Sequence, residues 1–115
     1  MKRAEILERA RQCVCGEREN EYGSPERSFE TIALLWNDYL SAAHPDLSVA
    51  MGIDGINTVD VAVMMALLKI ARIAGKRATP DSFVDLAGYA ACGGEIATAY
   101  EENNQNDGLS TVYSG

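Results

Sequence analysis

At 115 residues, 47% of them hydrophobic, the chain has the size of one domain and enough apolar material for a core. Its formal net charge of −7 argues against a general nucleic-acid binder, which needs a basic face, but leaves room for a small anion held by local charge or a metal. No apolar run reaches the roughly 18 residues that cross a bilayer, and MKRAEILERA has no signal-peptide core, so a cytoplasmic protein without membrane or nucleic-acid partners is expected.

The first helix is predicted over Arg3 to Cys15, where Ile6, Leu7, Ala10, Cys13 and Val14 recur at three- and four-residue spacing. Gly16 is placed to end it. Cys13 and Cys15 are too close in sequence for an unstrained bridge, and the cysteine total of three is odd. With His44 as the only histidine, neither a zinc site nor histidine catalysis is expected, and the thiols read as reduced. In the charged loop that follows, Arg18 is the cation that could reach a phosphate; its plain reading is a surface arginine paired with Glu17, Glu19 or Glu21.

Ser24-Pro25-Glu26 is a helix start, with an N-cap, a proline at the first helical position and an acid in the first turn. The second helix, to Ala42, has a broad apolar face of Phe29, Ile32, Leu35, Trp36, Tyr39 and Leu40. Glu26, Glu30 and Asn37 share another face, and the two glutamates, one turn apart, could share a metal or simply face solvent. Residues 43–57, with three Gly or Pro breakers, read as a long loop.

The third helix opens at Asn57 or Thr58 and ends at Gly75. It is apolar nearly all round and is expected to be inaccessible over most of its length, in a core or an oligomer interface, most simply a homodimer. Asp60 stands where a capping box with Asn57 would put it. Met65, Lys69, Arg72 and Lys76 cluster on one side, nearly opposite Asp60. Such embedded cations need carboxylate or phosphate partners, or they snorkel past apolar neighbours to a rim.

Thr79-Pro80-Asp81 repeats the helix-start chemistry, and the fourth helix is predicted to Glu101. Asp81, Asp85, Gly88, Cys92 and Glu95 fall on one stripe. Gly88, Gly93 and Gly94 make the helix thin, which permits close helix approach or leaves space for a ligand. The domain is expected to span 1–102, followed by a flexible tail over 103–115.

The set Arg18, Tyr22-Gly23-Ser24-Pro25, Phe29, Trp36, Asp60-Val61-Ala62, Lys69-Ile70-Ala71-Arg72 and Asp85-Leu86-Ala87-Gly88-Tyr89 resembles a family of short phage and prophage proteins of unknown function. That family is in turn similar to the MazG-like all-α nucleoside triphosphate pyrophosphohydrolases, which hold Mg²⁺ on acids from two helices. The resemblance implies metal at Asp81, Asp85, Glu30 and Asp60, phosphate contacts from Arg18, Lys69 and Arg72, and a catalytic role for Lys69 and Arg72. This chain departs from the usual Glu-Glu-x-x-Glu and Glu-x-x-Asp pattern: it has Glu26-x3-Glu30 and Asp81-x3-Asp85.

The expected fold is therefore an all-α compact bundle of four main helices, MazG-like, with the third helix central. The leading function is Mg²⁺-dependent hydrolysis of a nucleotide phosphoanhydride. The rival is a non-catalytic helical module in which Asp60, Lys69, Arg72 and Asp85 form a buried ion-pair network. Carboxylates converging on an open polar cleft favour the enzyme; carboxylates each taken by a cation or a helix N-terminus favour the module.

Overall fold

The computed structural model describes residues 1–16, 24–75 and 78–106, with side chains through residue 104. Every regular element among them is helical: α1 (Arg3–Cys15), α2 (Pro25–Ala43), α3 (Pro45–Met51), α4 (Thr58–Gly75) and α5 (Pro80–Asn106). Three starts follow from the local chemistry. Ser24 Oγ accepts from the Arg27 amide at 3.3 Å, and Thr79 Oγ1 accepts from the Ser82 amide at 3.3 Å. At the head of α4, Asp60 N–H donates to Asn57 Oδ1 at 2.8 Å while Asn57 N–H donates to Asp60 Oδ2 at 3.0 Å. This reciprocal pair satisfies two amides that a helix start leaves without partners.

The long-loop expectation for 43–57 is corrected. Pro45 and Asp46 repeat the proline-then-acid start, and the seven residues of α3 fit before Gly52, whose φ of +88° stops the helix. No residue of α3 is buried. At the other end of the chain α5 continues past Glu101 to Asn106, since extending an existing helix needs no new nucleus. Residues 107–115, most of the expected tail, lie outside the described residues.

The helices pack as a central α4–α5 hairpin with α1 laid on α5, α2 laid on α4 and α3 folded against α2. The expected compact four-helix bundle is thus met in its all-helical character and in the central place of the Thr58–Gly75 helix, while α1 makes no substantial contact with α2 or α4. The core gathers where α2, α4 and α5 meet: Phe29, Ala33, Ile56, Val61, Ala62, Cys92 and Ile96, with Trp36, Leu40, Met65 and Tyr89 packed around them. Thin α5 makes this possible. A Cβ on Gly93 would stand 2.9 Å from the Ala62 Cβ, so glycine lets the two helices approach here.

Because α2 is covered along one side only, Leu35 and Tyr39 are exposed instead of completing its expected apolar face, and Leu7 of α1 is exposed for the same reason. The larger correction concerns α4. Thr58, Val61 and Ala62 are buried, but Val63, Met64, Leu67, Leu68 and Ile70 are each between 42% and 55% exposed. Within one chain, the helix expected to be inaccessible is covered at its start and open along its far side.

Candidate functional site

The functional candidates converge on one contact of the α4–α5 hairpin. Lys69, on the side of α4 turned to α5, places Nζ 3.0 Å from Asp85 Oδ2. The lysine side chain is 13% exposed and the carboxylate 36%. The aliphatic stem crosses apolar ground and delivers its charge to the edge of the helix pair. Asp85 sits in the second turn of α5, past the positions where a helix N-terminus alone accounts for an acid. The contact is an ion pair joining two helices, dry at the lysine end and wet at the aspartate end.

The other candidates do not join it. Asp60 is engaged in the capping box with Asn57. Asp81 lies at the start of α5 with its side chain 82% exposed, 4.0 Å from an Arg9 nitrogen on α1. Glu30 is exposed on α2, and Glu95 is exposed on α5. Arg72 is exposed and forms no ion pair among the described residues. Arg18 and Lys76 lie outside the described residues. The expected four-residue network is therefore one pair, Lys69–Asp85.

The acids expected to hold Mg²⁺ stand beside cations or apart from one another. A Mg²⁺ site takes one or two carboxylates plus substrate phosphates. The two acids at suitable spacing on α5 each have a cation beside them: Asp85 has Lys69 and Asp81 has Arg9. Among the described residues no three His, Cys, Asp or Glu side chains are grouped to hold a metal ion. None of the helices is long and apolar enough to cross a membrane.

Among the described residues, two of the open apolar surfaces lie along the hairpin. One is a groove of about 400 Å³ between α1 and α5, lined by Ile6, Leu7, Phe83, Leu86, Ala87 and Ala90 with Arg3 at its rim. It offers no acid or nucleophile. The other is the far face of α4, where Val63, Met64, Leu67, Leu68 and Ile70 recur with Ala71 and Ala74 at helical spacing, all exposed.

One residue that sequence reasoning missed fixes the entry to α4, at the far end of the hairpin from the Lys69–Asp85 pair. The Asn37 amide donates from Nδ2 to the Ile56 carbonyl at 2.9 Å and accepts the Ile56 N–H on Oδ1 at 2.8 Å. This two-point clamp from α2 fixes the segment leading into α4. Gly55, at φ +55°, passes so close that a Cβ there would collide with the Asn37 side chain. Nothing local to Asn37 signals the clamp, because its partner is 19 residues away. At the same end of the hairpin, Thr58 Oγ1 and the Tyr100 hydroxyl share a hydrogen bond at 2.8 Å, tying the start of α4 to α5.

Comparison with known proteins covers most of this helical unit. The chain is 41% identical over 97 residues to the Gene 55 protein of Mycobacterium phage D29, a match covering 84% of this chain and 54% of that protein. It is 39% identical over 85 residues to the Gene 55 protein of Mycobacterium phage L5, covering 74% of this chain and 47% of that protein. The chain thus spans about half the length of the curated relatives it matches. No solved structure matches it. A family profile described as a domain of unknown function (DUF6378) matches residues 5–97, from within α1 to beyond the core positions of α5, and the chain belongs to that family.

Proposed function

We propose that this chain is a non-catalytic helical module that presents the open face of α4 for protein association, with its charged residues used to fix helix packing. The observation that carries the reading is the Lys69–Asp85 pair. The ammonium stands against the half-buried Asp85 carboxylate, in the place a metal would have to take. Asp60 is engaged by Asn57, and Asp81 lies beside Arg9. The Lys69–Asp85 pair and the Asn57–Asp60 box serve register and packing, a role for which ionic groups are retained without adding much stability.

The rival reading is a MazG-like, Mg²⁺-dependent nucleoside triphosphate pyrophosphohydrolase. It is favoured by one feature: the α4–α5 hairpin brings a cation and an acid of the candidate set to one place, with Asp81 one turn before Asp85. That reading requires Lys69 to leave Asp85 for a phosphate so that Asp85 can take the metal.

A thermal-shift panel of nucleoside mono-, di- and triphosphates, with and without Mg²⁺, separates the two. A ligand that binds the folded state raises the apparent stability by mass action. The module predicts no shift specific to nucleotide plus Mg²⁺ and no phosphate or pyrophosphate release. A Mg²⁺-dependent shift with a triphosphate, lost in Asp85→Asn, would establish the hydrolase reading instead.

A further inference from the structure

We propose that the partner for the α4 face is a second copy of this chain, lying antiparallel across it with the two helices crossing near Leu67. This deepens the association reading above and rests on it. From Val61 to Leu68 the helix carries no charged residue, and Val63, Met64, Leu67, Leu68 and Ile70 stand about half exposed along it with Ala71 beside them. Together they present on the order of 400 Å² of apolar surface, the size at which an exposed patch on a monomer marks an interaction site. A stable dimer covers about 800 Å² per partner, so this stripe supplies roughly half the need and its rims the rest.

The ends of the stripe argue for a second copy. The one acid of α4, Asp60, is at the head of the helix, and Arg72, exposed and without an ion pair among the described residues, is near its foot. A two-fold axis at Leu67 brings the Asp60 end of each copy beside the Arg72 end of the other, so the face is complementary to itself. It also sets the two α4 dipoles antiparallel. Although the chain carries a formal net charge of −7, α4 itself carries one acid, Asp60, against two cations, Lys69 and Arg72, so it contributes none of the excess acid to the contact. Ala71, on the stripe, and Ala74 let the helices approach closely at the foot. The axis sets Leu67 against its own equivalent and Val63 of one copy against Ala71 of the other.

The test is the mass of the full chain by sedimentation velocity over a concentration series, with two variants. The wild type is expected to run at twice the chain mass at tens of micromolar. Leu67→Glu is expected to weaken association at least 100-fold while keeping its helical circular dichroism, because Leu67 is exposed in the single chain. Leu34→Glu, at an exposed leucine of α2 that is not part of the stripe, is expected to change nothing. Cross-linking then reads the geometry without relying on a charged variant. A mixture of Val63→Cys and Ala71→Cys chains is expected to form a disulfide-linked pair faster than either chain alone, against a wild-type background from Cys13, Cys15 and Cys92. A wild type that stays monomeric would leave the face to a foreign helix and overturn the proposal. So would a dimer that survives Leu67→Glu, or cross-linking of Val63→Cys chains mainly with themselves, the mark of a parallel arrangement. These results are independent of the nucleotide panel, so failure of the dimer and failure of the module reading are distinguishable.

Discussion

Replacing Asp85 with asparagine keeps the shape of the side chain and removes its charge, leaving the ammonium of Lys69, whose side chain is 13% exposed, without its carboxylate. Removing one partner of a fully buried pair costs about 3–5 kcal/mol, while an exposed pair contributes about 0–1 kcal/mol. The Asp85 end, at 36% exposed, is hydrated and screened, so the buried figure is cut by half or more. The expected loss is about 1–2 kcal/mol, read as a lower urea midpoint at unchanged slope. Lys69→Met keeps the apolar stem and removes the charge; its unpaired Asp85 can turn to water, so its cost is about 0.5–1 kcal/mol. The double variant should be less destabilised than the two single losses together, by about 1 kcal/mol. Urea unfolding followed by circular dichroism, on wild type and all three variants, completes the cycle. If Asp85→Asn unfolds within about 0.3 kcal/mol of wild type, or the two losses simply add, the pair is not a packing contact and the reasoning built on it fails.

Asn37→Ala removes both hydrogen bonds to Ile56 and leaves a part-buried backbone N–H and C=O without partners, for an expected loss of about 2–3 kcal/mol by the same assay; a loss below about 0.5 kcal/mol would show that the clamp is incidental. The paired variants Gly93→Ala and Gly94→Ala test the close approach of α4 and α5. A Cβ at Gly94 meets nothing within 4 Å and should stabilise by about 0.5–1 kcal/mol, whereas one at Gly93 stands 2.9 Å from Ala62 and should lower the melting temperature despite the same gain in propensity. On α1, the hydrogen bond and charge of Arg11 hold the Glu8 carboxyl below its ordinary range. The contact therefore contributes above the ordinary glutamate pKa and is lost as pH falls through the lowered value, so the wild type should lose slightly more stability on acidification than Glu8→Gln does.

The helix starts were legible because their chemistry is local. Ser24-Pro25, Asn57 with Asp60, and Thr79-Pro80 each solve the problem of unpaired first-turn amides within three or four residues. Pro45-Asp46 carried the same signal, but Gly52 and Gly55 close behind it made the stretch read as a loop; a seven-residue helix fits in the gap. The thinness of α5 was legible as a device for close approach, and Gly93 against Ala62 is where it acts. The phase of the cations on α4 correctly separates Lys69 from Asp60, and the place of Asp85 past the first turn marks it as an acid in need of a cation, yet the pattern cannot choose between Lys69 and Arg72 as its partner, since that depends on how two helices slide along each other. The Asn37 clamp and the open side of α4 were hidden for a related reason. Hydrophobic pattern says which residues avoid water, but not whether the cover comes from the same chain.

The central claim is that Asp85 serves Lys69 and not a metal. Mn²⁺ stands in for Mg²⁺ at carboxylate and phosphate oxygens and broadens the NMR signals of nuclei near it. The direct measurement is a Mn²⁺ titration of the isotopically labelled chain in the presence of a non-hydrolysable nucleoside triphosphate, following the amide signals of α5. The account predicts that Asp81 through Asp85 broaden no more than the exposed acids elsewhere on the chain. Selective loss of those signals at low Mn²⁺, dependent on the nucleotide and abolished by Asp85→Asn, would contradict it.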